Sequence, residues 1–380
     1  MLRHMLRAAA ATALMAAGLV AVHQQPAAAA ATWQAVAVPV GEGRKISSAR
    51  IKVFGPDSAL MYAGTQPTIC WECTTRSQIF RWDGTAWTEL VVPPNAAGGK
   101  PTYAGDSPDD QWSFNASTQN YTFSAYHWDG SAWTERSPSG VKFQTMAVEV
   151  SAPDDVWISG MDRADGDFNA AVGHWNGTAW TFTRLPAANK SDSPGSIHKV
   201  SDTEVWAVGT GYPATDTFRM GAARFNGSTW STVAMPAEAA RGNQVTGTSN
   251  DLWITGTKLT SGNGPLCGIT LHSTGGAFTR SDICAPGTEG GIWYTGLVKY
   301  GTDWFAGLQP RWTSDKIPGG ALRKWTGSSW QSIAGPYPTT TNVEDMEAIP
   351  GGGLWVVAEG IDAAGKFVGP QMWRVSGSLG

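Results

Sequence analysis

Three kinds of residue in this chain have the chemistry to act on something or to hold it. Acids come in short runs: Asp162, Asp165 and Asp167 share one stretch with Gly166, and Glu344, Asp345 and Glu347 share another. The first run has the hard oxygen donors that calcium prefers, but not the spacing of a known calcium loop, so solvated turn acids are the expected reading. The second has no histidine, serine or cysteine beside it that would make a base or nucleophile. Beyond residue 31 the histidines are His127, His174, His198 and His272. Two cysteines stand close, in Cys70-Trp71-Glu72-Cys73, a spacing used in redox chemistry when it opens a helix in a βαβ unit. Last come aromatic rings next to charged or polar groups: Trp71 beside Glu72, Trp312 after Arg311, the pair Trp293-Tyr294, and Tyr103, Tyr121 and Tyr212. Such rings suit stacking on sugars or on a partner protein.

The elements that must position these residues are set by repetition. The phrase Trp82-Asp83-Gly84-Thr85-Ala86-Trp87-Thr88 returns at Trp128–Thr134 and Trp175–Thr181. Looser copies start at Phe225, Ser273, Trp325 and Trp373. A second phrase, Asp155-Val156-Trp157-Ile158-Ser159-Gly160, recurs at Glu204–Gly209 and Asp251–Gly256. Weaker copies carry Met61, Trp112, Trp304 and Trp355 at the Trp position. These seven positions lie 51, 45, 49, 47, 51 and 51 residues apart. A fixed period near 50 is the mark of a repeat architecture. Each unit reads as four short strands, for example Met146–Val150, Val156–Gly160, Ala170–Trp175 and Trp180–Leu185, bounded by Gly, Pro, Asn and Asp. No helical periodicity appears after the leader. The pattern predicts an all-β, seven-bladed β-propeller.

The last unit lacks its outermost strand, and Trp33–Pro39 reads like that strand. The N-terminus is therefore expected to complete the final blade and remove an open edge. Most of the 20 Trp sit at repeat positions and are assigned to blade packing. His127 and His174 precede the repeat Trp and are framework positions too.

Residues 1–31 read as a secretory signal peptide: Arg3 and Arg7, an apolar stretch from Ala8 to Val22, and small residues at Ala27–Ala31. Residues 32–380 then form one propeller domain, expected to be secreted and extracellular. No second apolar run is long enough to span a membrane. Without Arg3 and Arg7, 25 basic residues face 31 acidic ones. No basic run occurs, which argues against nucleic acid as a partner. The four cysteines suit an oxidising compartment. Cys267 and Cys284 flank Gly275-Gly276 symmetrically and are expected to pair across a hairpin. Cys70 and Cys73 are expected to stiffen a loop as a second disulfide, since the βαβ setting of a redox motif is missing. No metal or cofactor is expected.

Function then falls to the loops. The uniform Trp-Asp-Gly turns lie at one end of each blade. The connections at the other end differ, among them Thr65–Ser77, Met161–Asn169, Thr210–Arg219 and Leu308–Gly319. The long-loop face is the expected working face. The ligand-binding candidates on it are Trp71, Glu72, Tyr103, Tyr212, Trp293, Tyr294, Arg311 and Trp312. The turn phrase departs from the sialidase Asp-box, Ser-x-Asp-x-Gly-x-Thr-Trp, because Gly directly follows Asp. Galactose-oxidase-like copper chemistry needs a free cysteine near a tyrosine. A catalytic set is not marked anywhere, so the expected role is non-catalytic.

The Trp-Asp-Gly-Thr-Ala-Trp-Thr and Asp-Val-Trp-x-x-Gly phrases, with the Ala-rich leader, resemble exported actinobacterial β-propeller lectins, most of all the lectin subunits of umbrella toxin particles. The resemblance covers nearly the whole chain after the leader. It implies a lectin for cell-surface glycans that docks on an adaptor protein of a large antibacterial particle. It lies in framework positions, so it assigns no binding residue. The alternatives are a protein-docking scaffold without sugar binding and a secreted glycoside hydrolase.

Overall fold

The structure is a computed structural model that describes residues 31–69, 75–96, 101–116, 120–186, 193–211, 219–236, 240–258, 267–284, 292–310, 317, 319–377 and 379. The strands form seven four-stranded antiparallel sheets. Six sheets use consecutive strands. Blade 3 is typical: Phe143–Ala152 innermost, then Asp155–Asp162, Asn169–Trp175 and Trp180–Arg184 outermost. The innermost strands are Arg44–Gly55, Thr102–Ser107, Phe143–Ala152, Ser193–Ser201, Ala240–Thr248, Ile292–Tyr300 and Thr339–Ala348. Each touches the next and the last touches the first, so they close a ring around a central channel. This is the seven-bladed propeller expected from the repeats.

The ring closes as anticipated. Blade 7 is built of Thr339–Ala348, Leu354–Ile361 and Phe367–Ser376, with Thr32–Val36 as its outer strand. Trp33 lies opposite Val375 and Ala35 opposite Trp373. The start and end of the described chain are thus held in one sheet, and Phe367–Ser376 is paired on both sides.

The first phrase builds the outer hairpins. Asp83 Oδ1 accepts from the N–H groups of Thr85 (2.9 Å) and Ala86 (2.9 Å) and from the Thr85 hydroxyl (2.8 Å). Asp129, Asn176 and Asn226 do the same in their turns. These are Asx turns, and Gly84 takes the left-handed conformation (φ 97°) they need. The turn sets Trp82 opposite Trp87, with ring centroids 5.4 Å apart. The pairs Trp128–Trp133, Trp175–Trp180 and Trp325–Trp330 repeat it at 5.3–5.7 Å.

The second phrase builds the blade interior. Asp155 Oδ1 accepts from Trp157 Nε1 (3.0 Å) and lies 2.8 Å from His174 Nε2. The imidazole stacks on the same indole at 3.9 Å. Lys199 of blade 4 reaches back to the same carboxylate. In blade 5, Asp251, Trp253, His272 and Lys299 of blade 6 repeat the set. In blade 4 the set is Glu204, Trp206 and Arg224, with Ser249 of blade 5. The histidines before the repeat aromatic are therefore structural clamps.

Cys267 and Cys284 lie directly opposite each other in blade 5 and form a disulfide, with Cα atoms 4.3 Å apart. Cys70 and Cys73 lie outside the described residues. No helix among the described residues is long and apolar enough to cross a membrane.

Candidate functional site

The glycine that ends the second phrase points to the site. Most inner strands carry a β-bulge near its level: between Ile46 and Ser48, Thr145 and Ala147, Pro194 and Ser196, Gly242 and Gln244, Tyr294 and Gly296, and Val343 and Asp345. A bulge pushes the inner backbone over the neighbouring strand. A Cβ on Gly160 would sit 1.9 Å from the Gln144 carbonyl oxygen, and one on Gly209 would sit 2.0 Å from that of Ser193. So the glycine makes room for the bulge. The extra residue in each bulged strand is Ser47, Met146, Gly195, Asn243, Thr295 or Glu344. Pro101 immediately precedes the inner strand of blade 2.

Ser47, Pro101, Met146, Thr295 and Glu344 converge on one cavity of about 530 Å³ at the end of the channel nearer the long loops. Ser48, Arg50, Tyr62, Ser77, Tyr103 and Gln309 complete much of its wall. The wall carries hydroxyls, an amide, a guanidinium and a single carboxylate among its described residues. Arg50 is exposed and forms a 3.6 Å ion pair with Asp345. Glu344 Oε2 accepts the Ala49 N–H (2.9 Å), and Asp345 Oδ2 accepts the Ile51 N–H (2.8 Å). These two acids therefore sew blade 7 to blade 1. Burial pushes the Glu344 carboxyl up to about 7, helped by Glu359 and Asp345 and opposed by Arg50 and the Ala49 N–H. Near neutral pH this group can both donate and accept a hydrogen bond at the cavity wall.

Beyond the mouth the channel continues as a second space of about 500 Å³, lined in part by Lys52, Glu149, His198, Asp345 and Glu347. His198 Nδ1 lies 3.2 Å from Glu149 Oε1 and its Nε2 lies 2.9 Å from the Gly247 carbonyl oxygen. One imidazole thus ties blades 3, 4 and 5. Burial pulls its pKa down, but Glu149 and the Gly247 carbonyl outweigh this and raise it. Burial pushes Glu347 up to about 7.

The sequence-derived candidates divide sharply. Trp293 lies opposite Gln309 in the blade 6 inner strand and is 42% exposed; Gln309 lines the cavity, and Trp293 stands beside it in register without lining it. Tyr294 points the other way. It is 5% exposed and packs among Leu297, Phe305 and Leu308, so it is a core residue and not a ligand platform. Alternation along a strand accounts for the split. Tyr103 lines the cavity but is stacked flat on Tyr62 at 4.7 Å, which leaves one face at most for a ligand. Burial raises the phenol pKa of both. Trp71, Glu72, Tyr212, Arg311 and Trp312 lie outside the described residues.

The other acidic run is structural. Asp162 and Asp165 grip Arg184 at 2.6 and 2.9 Å. Their remaining oxygens accept the Ala164 and Asp167 N–H groups and the Asn169 amide. Residues that sequence reading passed over include Arg50, Ser47 and Thr295. Only a register one residue out of step with the phrase would have marked them.

No protein-family model and no curated protein sequence matches the chain. Among solved structures it is similar to YCF48 bound to D1 peptide, at 10% identity and TM-score 0.52, covering 90% of this chain and 96% of that one. It is also similar to the β-propeller domain of the trilobed protease from Pyrococcus furiosus, at 8% identity and TM-score 0.54, covering 89% and 95%. A third is the α-L-arabinofuranosidase Arb93A from Fusarium graminearum, solved with an iminosugar inhibitor, at 13% identity and TM-score 0.45, covering 87% and 93%. The first two likenesses establish the fold this chain shares with them: a β-propeller.

Proposed function

We propose that this chain is an exported, non-catalytic recognition module that binds glycans at the channel mouth on its long-loop face. The observation that carries the reading is Trp293, an exposed indole paired across the strand with Gln309, which lines a mouth together with Arg50, Ser47, Thr295 and Glu344. An aromatic face with hydrogen-bonding groups around it is what a sugar ring requires. Among the described wall residues Glu344 is the one carboxylate, and glycoside hydrolysis uses two carboxyl groups across the scissile bond, which favours the non-catalytic reading. The leader-like residues 1–31 and the disulfide support export. The resemblance to umbrella-particle lectins supports a place in an antibacterial assembly, held by an adaptor protein to bring it to cell-surface glycans.

The second reading is a docking scaffold that takes a protein segment at the same mouth. It is favoured by the fold relative YCF48, whose structure holds a D1 peptide. One experiment separates the two. The purified protein is screened on a glycan array beside a pull-down from the secreted fraction of the producing cell. Glycan binding that drops at least tenfold in Trp293→Ala, with Tm within a few degrees, supports the lectin. Trp312→Ala is expected to act in the same direction. A blank array with a stoichiometric protein partner selects the scaffold.

A further inference from the structure

The junctions between blades are not filled alike. Between blades 2 and 3, Phe114, Phe123, Trp180 and Phe182 interlock, with ring centroids 5.4–6.1 Å apart. Counting from the repeat landmarks gives the equivalent positions one junction on. Phe114 becomes Ser159, Phe123 becomes Ala170, and Phe182 becomes Thr232. The fourth turn phrase also opens with Phe225 where its neighbour has Trp175. The seam between blades 3 and 4 thus lacks the three benzyl groups of the seam before it, as does the seam between blades 5 and 6, where the same positions are Thr255, Gly268 and Ser332; the seam after blade 3 is the one whose space is lined by aromatic rings.

Two cavities occupy that seam and share Pro186. One, of about 260 Å³, is apolar and is walled by Ala170, Leu185, Pro194, Met220 and Val233 among others. The other, of about 480 Å³, lies toward the turn end and presents Trp157, Phe225 and Trp230 with Thr181, Thr183 and Ser228.

The indole N–H of Trp230 lies at the same seam. In three other blades the equivalent Trp reaches the preceding blade: Trp133 Nε1 donates to the Val91 carbonyl (2.9 Å), Trp180 Nε1 to that of Arg136 (3.0 Å), and Trp330 Nε1 to the Thr270 hydroxyl (3.0 Å). Trp230 Nε1 has no such partner among the described residues. Its ring packs only on Phe225 (5.5 Å) and Trp157 (6.1 Å). Trp87 of blade 1 also lacks the bond, but its Nε1 is buried, whereas Trp230 lines the cavity.

We infer that the cleft between blades 3 and 4 is a second binding site, which takes a pyranose ring bearing an N-acetyl group. Phe225 and Trp230, the half-buried rings of the aromatic cavity, supply the apolar surface for one side of the sugar, with buried Trp157 behind them, and the threonine and serine hydroxyls and the Trp230 N–H supply hydrogen bonds. The apolar cavity across Pro186 takes the acetyl methyl. A buried apolar methyl favours the acetylated sugar, and an unacetylated ring leaves that space without a partner. The site is separate from the channel mouth and stands or falls without it.

The test uses the indole N–H resonances of the ¹⁵N-labelled protein, with Trp230 assigned by its absence in Trp230→Phe. N,N′-Diacetylchitobiose (chitobiose below) is titrated, and cellobiose, which carries hydroxyls in place of the acetamido groups, is the control. The expected result is a saturable shift of the Trp230 resonance with chitobiose at least tenfold tighter than with cellobiose. Trp230→Phe and Ala170→Phe should each weaken chitobiose binding at least tenfold. Trp293→Ala should leave it unchanged, so failure here and failure at the mouth read out separately. An unmoved Trp230 resonance, or equal response to both sugars, overturns the proposal. So does a Trp230 shift produced only by a protein partner from the secreted fraction, which would make the cleft a protein interface.

Discussion

Asp155 shows how much one side chain carries in a repeat. Its carboxylate meets an indole N–H, an imidazole and a lysine from the next blade. Replacing Asp155 by alanine strips all three of their acceptor in a largely buried place, so a loss of about 2 kcal/mol or more is expected. Asp155→Asn should recover part of that, because an amide oxygen still accepts from Trp157. Chemical denaturation of the two variants checks the order. The role of this acid was readable only in outline. The phrase marks the position, but its partners are His174, 19 residues on, and Lys199, 44 residues on. The same limit hid the mouth. Trp293 stood out as an aromatic off the repeat, whereas Ser47, Arg50 and Thr295 are ordinary residues made important by a bulge. Tyr294 was misplaced because adjacency in sequence means opposite faces in a strand.

At the scale of the strand, the bulge and its glycine form one device. Gly160→Ala puts a methyl on the Gln144 carbonyl and forces the inner strand outward. A loss of about 1–3 kcal/mol is expected, as for an overpacked core site, with the channel mouth disturbed as well. Gly276→Ala is the control. Nothing lies within 4 Å of the added methyl there, so the change should stay within about 0.5 kcal/mol. Equal losses at the two sites would remove the bulge as the reason for the motif. Strand number, hairpin register and the Cys267–Cys284 pair were legible because each depends on local spacing. The open seam after blade 3 was written in the sequence too, as Ala170, Thr232 and Phe225, but it becomes visible only when the blades are superposed on one another.

For the whole molecule, the channel acids set a direction for stability against pH. Glu344 and Glu347 are held near 7, above their ordinary value of 4.5. Each therefore keeps a proton in the fold that the unfolded chain releases. Their contribution is complete below about pH 4.5 and is lost as pH rises through 7. His198, raised above 6.5 by Glu149, has the same sign. Asp83, Asp129 and Asp251, held down to about 2, work in the opposite sense, but their contribution is lost only as pH falls from the ordinary carboxylate range toward 2. Tm should therefore be higher at about pH 5 than at about pH 8, and Glu347→Gln should flatten the slope. A Tm that rises from pH 5 to pH 8 would show that the channel carboxyls are ionised and hydrated.

The clasp in blade 7 also fixes the order of events during synthesis. The strand Thr32–Val36 is made before the other six blades, yet its partner Phe367–Ser376 is made after them. Every other blade is local in sequence and can assemble as it emerges. The ring itself must wait, because closing a loop of nearly the whole chain precedes any gain from the contact. Until then the first strand is an unpaired β-edge attached to six nearly finished blades. Closure is thus a single late step, and the same seam is where the ring opens first when the protein is pulled from its ends.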